Sequence, residues 1–171
     1  CGHKISALEN LPIISYVWLR GKCRGCQRKI SPRYPLVELL SGVLCGLLAY
    51  KFGYSLELAM GMLATWLLMS MAFIDADTFL LPHSLTLPFL WMGIAINWYV
   101  SQTQIPSSVF LGLSASVLGA VVGFLILWGI SSLYKLIKGY HGMGEGDFPL
   151  LAGLCAWGGW QIMSSLLLFS A

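Results

Sequence analysis

Asp75 and Asp147 stand where long apolar stretches begin or end, and they are the first candidates for chemistry in this chain. A carboxylate beside hydrocarbon is costly to keep ionised and usually has a function. Two carboxyl groups held close together cannot both ionise, so they share a proton and can divide the roles of acid and base. The pair therefore predicts acid–base chemistry at the edge of a membrane.

Three cysteines form a second candidate site. Cys23 and Cys26 are spaced as CxxC, and Cys1 precedes them near the start of the chain. A single CxxC fits half of a zinc site, a redox pair or a coincidence, whereas a zinc ribbon needs four ligands around a tetrahedral ion. We predict Cys1, Cys23 and Cys26 as ligands of a structural zinc ion, with a fourth cysteine ahead of Cys1 in a longer chain. His3 is a substitute ligand or a solvated loop residue.

The composition places most of the chain in a bilayer. Hydrophobic residues make up 57% and charged residues 10%, against about 25% charged in soluble domains, and the mean hydropathy is +0.77. We predict an all-α polytopic membrane protein in contact with lipid. Its five spans are expected at residues 36–50, 56–74, 84–100, 109–134 and 148–169.

The positive charges orient these spans. Of ten Lys and Arg residues, seven precede the first span: Lys4, Arg20, Lys22, Arg24, Arg28, Lys29 and Arg33. The positive-inside rule places that segment in the cytoplasm, and alternating spans then bring both aspartates to the cytoplasmic face. Nucleic acid is not expected as a partner, because an adjacent anionic leaflet accounts for this charge. We therefore divide the chain into a cytoplasmic cysteine loop, residues 1–35, and a transmembrane domain, residues 36–171.

Several motifs in this order resemble those of the type IV prepilin peptidases. Cys1-Gly2-His3 and Cys23-Arg24-Gly25-Cys26 are similar to the family's two cysteine knuckles, and Phe73-Ile74-Asp75 with Leu81-Pro82 is similar to its first aspartate motif. Gly144-Glu145-Gly146-Asp147 matches the GxGD motif shared with other intramembrane aspartyl proteases. The resemblance covers nearly the whole chain.

The resemblance implies two reactions at the cytoplasmic face of a bacterial inner membrane. In the first, Asp75 and Asp147 cleave the basic leader of a type IV prepilin or pseudopilin at a Gly–hydrophobic bond. In the second, S-adenosylmethionine methylates the new N-terminal amine. The resemblance also implies zinc in the cysteine loop. Which residues bind the methyl donor, which aspartate is the base, and the oligomeric state stay open.

The chain departs from the family pattern at several points. Pro149 stands where Lys is frequent, and His83 stands where an acidic or amide residue is common. A leading cysteine, a first span and a last span of the family are not found. Because the chain begins with Cys1 and ends in an apolar run, we expect a fragment lacking N- and C-terminal parts.

Four local features need a separate interpretation. Asp77 competes with Asp75, but on a helix it would point about 200° away, at about 100° per residue, so only one of them can face Asp147. Glu38 caps its helix or pairs with Arg33, or else contacts the methyl donor. The glycines of residues 142–146 give a tight turn with room for an extended substrate, or a plain flexible loop. A small-residue stripe predicts helix packing; it comprises Gly112, Ser116, Gly119 and Gly123.

Two other functions compete with the peptidase. Intramembrane carboxylates also carry protons or cations in transporters, which would place acidic residues near the middle of the bilayer rather than at the ends of spans. A non-catalytic pilus or secretion assembly protein would use the cysteine loop for docking. It would keep its function when Asp75 and Asp147 are replaced by Asn.

Overall fold

The computed structural model, which describes residues 1–2, 4–140 and 144–163, is built from helices. A 3₁₀ turn at Ala7–Asn10 and helix α1 at Ile14–Trp18 come first. The longer helices are α2 at Arg33–Phe52, α3 at Leu56–Thr78, α4 at His83–Thr103, α5 at Leu113–Lys138 and α6 at Asp147–Gly158. No β-strand forms within these described ranges, although Lys22 and Lys29 make one isolated antiparallel bridge. The all-α prediction is confirmed.

Each of the five predicted spans overlaps one of the longer helices. By length and composition, α2, α3 and α5 could cross a membrane, and they mark the chain as a membrane protein. Helix α4 is not among these three, and it carries polar residues such as Asn97, Ser101 and Gln102. Helix α6 ends at Gly158 and is followed by Gly159 at a φ of +78°, so the predicted span 148–169 is broken there. Residues 164–169 of that span lie outside the described part of the chain.

Cys1–Thr65 forms one compact unit. None of the residues of α2 is buried, so its apolar side chains require a surrounding that is itself apolar, as a bilayer is. The backbone N–H of Ile13 donates a hydrogen bond of 2.8 Å to the Glu38 carboxylate. Glu38 therefore satisfies an amide that would otherwise lack a partner at the start of α1, and it fastens that segment to α2.

Trp66–Ala171 forms a second unit, in which α4, α5 and α6 pack together. Its central polar residue is Asn97, whose side chain is fully buried. The side-chain N–H groups of Asn97 donate to the carbonyls of Gly93, at 2.9 Å, and Ala156, at 3.1 Å. Its side-chain oxygen accepts from the N–H groups of Leu111 and Gly112. One side chain thus joins α4, α6 and the segment that leads into α5.

The small-residue stripe on α5 lies against α6, as its pattern predicts. A methyl group added at Gly119 would collide with the carbonyl of Cys155, and one added at Gly123 would lie 3.1 Å from the Cys155 sulfur. The Ser116 hydroxyl donates to the Ala156 carbonyl at 2.7 Å. Glycine and serine therefore let the two backbones approach closely, and this contact fixes the position of α6 and of the aspartate at its start.

Candidate active site and metal site

Asp75 lies in the last turns of α3, and its side chain is exposed. The predicted span stops at residue 74, but the helix continues to Thr78. It ends where Phe79 adopts a φ of +53° and donates its N–H to the Asp75 carbonyl at 2.7 Å. A positive φ is uncommon for a bulky residue and stops the helix. The chain then runs through Leu81 and Pro82 into α4, which begins at His83.

Asp147 is the first residue of α6 and follows the glycine loop. Its position favours a carboxylate, because the N-terminal end of a helix carries partial positive charge. Pro149, the departure noted in the sequence, is the third residue of the helix and is buried. Proline is tolerated there because the N–H it lacks has no intrahelical partner in the first turn. Gly142 and Met143 of the loop lie outside the described residues.

Gly146 brings the two aspartate-bearing segments together. It is buried, and a methyl group added to it would collide with the Leu81 carbonyl oxygen and lie 2.7 Å from the Leu81 Cβ. Its φ of −72° is ordinary, so close approach, and not backbone freedom, is what requires glycine here. The GxGD loop therefore rests directly on the connection that follows Asp75.

The two carboxyl groups interact electrostatically. Partial burial is the main cause that raises the pKa of Asp147 above its usual range. A hydrogen bond from the Gly144 backbone opposes this shift, and the negative charge of Asp75 adds to it. Asp147 therefore keeps its proton to a higher pH than an exposed aspartate does, and the charge that acts on it from α3 is that of Asp75.

We expect Gly146→Ala to abolish activity at this site while most of the helical fold is kept. The added methyl group has no space against Leu81, so the loop must move and carry Asp147 away from Asp75. A misplacement of about 1 Å can cost about 100-fold in rate, and we expect at least that loss in kcat/KM for the site's substrate. Gly129→Ala is the matched control, since its methyl group would meet nothing within 4 Å. Equal activity of the two variants would show that the Leu81 contact does not hold the site.

Three other charged or titratable residues lie close in the sequence to the two aspartates. Asp77 is exposed on α3 and engages in an interaction of its own. His83 and Glu145 are both exposed, His83 at the start of α4 and Glu145 in the glycine loop. The structure thus brings Asp75 into electrostatic contact with Asp147, which supports it over Asp77 as the partner.

The three predicted cysteine ligands converge in the first unit. The sulfur atoms of Cys1, Cys23 and Cys26 all lie within 4.8 Å of one another, and those of Cys1 and Cys23 are 3.7 Å apart. Thiolates on a tetrahedral zinc ion are about 3.8 Å apart, given a Zn–S distance of about 2.3 Å. The cluster could hold a metal ion, and its sulfur spacing fits tetrahedral thiolate coordination. His3, the substitute ligand, lies outside the described residues.

A tight backbone turn presents the CxxC sulfurs. The Cys23 N–H donates to the Arg28 carbonyl, and the Gln27 N–H donates to the Cys23 carbonyl, both at 2.9 Å. Gln27 adopts a φ of +57°, which reverses the chain directly after Cys26. The Arg24 guanidinium pairs with the Glu9 carboxylate at 3.1 Å and ties the turn to the preceding 3₁₀ segment.

Sequence reasoning missed three contributors to these sites. Nothing in the motif pattern identified Leu81 as the surface that seats Gly146. The contact of Glu9 with Arg24 was not predicted, because an acidic residue in a polar segment is usually solvated. Asn97 could have been noticed, since a polar amide inside an apolar span is costly unless it forms hydrogen bonds.

Comparisons with known proteins account for the whole length of the chain. Residues 1–52 match the model of the bacterial peptidase A24 N-terminal domain, and residues 62–171 match that of the type IV leader peptidase family. The prepilin leader peptidase/N-methyltransferases of Stutzerimonas stutzeri, Neisseria gonorrhoeae and Pseudomonas aeruginosa are 48%, 47% and 46% identical to it over 171 residues.

These relatives are longer than the chain. All of its residues align, but they cover 56% of the Stutzerimonas stutzeri and Pseudomonas aeruginosa proteins and 57% of the Neisseria gonorrhoeae protein. The chain thus spans about half the length of the curated relatives it matches. No solved structure matches it.

Proposed function

The chain belongs to the type IV leader peptidase family, and from this membership we propose that the whole protein removes the leader peptides of type IV prepilins and pseudopilins. The site residues would be Asp75 and Asp147. The observation that carries the proposal is the seating of Gly146 on Leu81, which holds one aspartate within the electrostatic reach of the other. Aspartyl proteolysis requires such a pair, because one carboxyl must be protonated while the other is ionised.

The unequal surroundings of the two carboxyl groups suggest their roles. Asp147 is the partly buried group with the raised pKa, so we assign it the proton that goes to the scissile carbonyl oxygen. Exposed Asp75 takes a proton from the water molecule that attacks the carbonyl carbon. The resulting tetrahedral diol then breaks its C–N bond, and the leaving amine accepts a proton.

We propose that a second reaction methylates the amine released by cleavage. This rests on the names of the relatives, which are prepilin leader peptidase/N-methyltransferases. S-adenosylmethionine would supply the methyl group, and transfer requires the amine in its neutral form. No residue of this chain is assigned to the methyl donor.

The cysteine cluster would be structural. Zinc held by Cys1, Cys23 and Cys26 would fix the CxxC turn, which has few apolar side chains to bury. In this proposal residues 1–35 form a cytoplasmic loop, and residues 36–171 form the membrane peptidase domain of a bacterial inner-membrane protein. Both aspartates would lie at the cytoplasmic face, where the excess of Lys and Arg places the first segment.

Replacing Cys26 by Ser should remove bound zinc and loosen the first 35 residues. A hydroxyl is a poor substitute for a thiolate, so metal affinity should fall by more than the 10–100-fold that loss of an outer-shell partner costs. Bound zinc would be measured by elemental analysis, and loop order by limited proteolysis. Cys45→Ser in α2 is the matched control, since Cys45 lies outside the cluster. Full zinc content in the Cys26 variant would rule out this ligand set.

The proposed function is tested with purified whole protein, a prepilin substrate and S-adenosylmethionine. Mass spectrometry should show a product that has lost its leader and gained one methyl group. Cleavage without methylation would keep the peptidase and reject the transferase. A protein that cleaves no prepilin but moves protons or cations across a vesicle membrane would be a transporter, and one that does neither would fit the assembly role.

A further inference from the structure

A cavity of about 550 Å³ lies beside the GxGD loop. Its walls come from the start of α4, from the second half of α5, and from the residues on both sides of Asp147, namely Glu145, Phe148 and Pro149. The volume is within the range of sites that hold small ligands or single side chains. Neither Asp75 nor Asp147 lines the cavity, but three residues within two positions of Asp147 do, so its occupant lies near the end of α6 that carries Asp147.

The cavity is lined mainly by apolar groups. Phe124 and Trp128 of α5 face it together with Phe148 of α6. The rings of Phe124 and Phe148 meet edge to face with their centroids 6.1 Å apart, a favourable geometry for aromatic pairs. Such a wall selects a large apolar side chain over a small or charged one.

One buried hydroxyl group among these lining residues makes no hydrogen bond within the described part of the chain. Ser131 is 4% exposed and lines the cavity, and its Oγ has no hydrogen-bond partner in the described part of the chain. Other helix hydroxyls donate to the carbonyl four residues earlier, as in Thr65, Ser70, Thr78, Ser101 and Thr103. A buried polar group without a partner is costly, so a bound molecule with a polar atom at this point would gain from pairing with it.

We propose that this cavity is the subsite for the apolar side chain that follows the scissile bond, and that the Ser131 hydroxyl bonds a backbone group of the same residue. The inference rests on the proposed function and on the cleavage site that the family resemblance implies, in which a glycine precedes the bond and an apolar residue follows it. The glycine has no side chain to fill a cavity, so of the two residues at the scissile bond only the apolar one can occupy it.

The first test changes the size of the cavity and the size of the substrate residue together. Ser132 also lines the cavity, and Ser132→Leu would fill part of it. Whole wild-type and variant proteins would be assayed on prepilins carrying Phe or Ala after the scissile bond. We expect the Phe-to-Ala ratio of kcat/KM to fall about 10–200-fold, the range by which pockets discriminate a missing or surplus methylene group. The matched control is Ser114→Leu, an exposed position at the other end of α5, which should leave the ratio unchanged.

The outcomes separate this inference from the proposed function. If wild type cleaves both substrates but Ser132→Leu leaves the Phe-to-Ala ratio of kcat/KM unchanged, the subsite inference is wrong, whereas the proposed peptidase activity is supported. An equal loss on both substrates would also overturn the subsite, since a lipid chain in the cavity or general damage would act in that way. If wild type cleaves neither substrate, the proposed function fails and the inference fails with it.

A second variant tests the hydroxyl alone. Ser131→Ala removes a group without a partner, so the melting temperature of the substrate-free protein should not fall. Loss of one hydrogen bond to substrate should lower kcat/KM about threefold to tenfold on both substrates, and Ser131→Thr should restore part of it. Unchanged kinetics would contradict the assigned contact, as would a loss of stability without a kinetic effect.

Discussion

Asp147→Asn is expected to abolish leader cleavage while leaving the protein folded. The amide has nearly the shape of the carboxyl group but cannot donate an acidic proton to the scissile carbonyl. General acid–base catalysis contributes about 10²–10⁴-fold, so kcat/KM should fall by at least that factor. Asp75→Asn should have a similar effect, because the water molecule would lose its base. Cleavage of a prepilin by purified variants, followed by mass spectrometry, measures both.

The matched control is Asp77→Asn, which makes the same change two residues from Asp75 on the same helix. It should cleave at close to the wild-type rate, since Asp75 is the α3 carboxylate whose charge acts on Asp147. Near-normal cleavage by the Asp75 variant with loss in the Asp77 variant would reverse the assignment. Cleavage by all three variants would exclude an aspartyl mechanism. A transporter would instead lose ion movement when either aspartate is changed.

The proposed site residues could be selected from the sequence because their chemistry is visible in the residue types. Carboxylates at the ends of apolar runs and thiols spaced as CxxC are rare in such a hydrophobic chain, so Asp75, Asp147 and the cysteines attract attention without a structure. The close spacing of the three sulfur atoms agrees with the predicted ligand set. Recognition of the family followed from the same motifs, and the family models confirm it.

The contacts that position these residues could not be predicted in the same way. The glycine of GxGD suggests a flexible turn, but the structure shows that Gly146 is needed because Leu81 leaves no space for a methyl group. Such a steric requirement depends on where two distant segments meet, and no local pattern encodes it. The cavity beside Asp147 was missed for the same reason, since its lining comes from three separate stretches of sequence.

The first and last residues of the helices show how far composition alone can predict the fold. Apolar runs located all five long helices, because only a helix satisfies its own backbone in hydrocarbon. The apolar run underestimated the length of α3. This helix continues past the apolar residues to Thr78, so Asp75 lies within its last turns. Apolar runs did not reveal the break inside the last span, where Gly159 ends α6 through a positive φ that hydropathy does not register.

Asn97→Leu should destabilise the second unit by more than the loss of one ordinary hydrogen bond. The leucine side chain fits a similar volume but leaves the N–H groups of Leu111 and Gly112 without their acceptor. An unsatisfied donor costs about 1–3 kcal/mol where it is buried, and these two amides are part-buried, so we expect a loss of about 2 kcal/mol. Thermal unfolding in detergent would show it as a marked fall in the melting temperature.

Ser116→Ala provides the graded comparison, because its partner, the Ala156 carbonyl, still accepts from Asn97. No donor is left unsatisfied, so the cost should be about 1 kcal/mol. The two substitutions share that carbonyl, so their effects should not add. An Asn97 variant as stable as wild type would mean that water or lipid replaces the lost acceptor. In the Asn97 variant, activity should fall in proportion to the amount of folded protein. In Asp147→Asn, the protein should stay folded but inactive. This difference distinguishes a residue that stabilises the fold from a residue proposed to take part in the reaction.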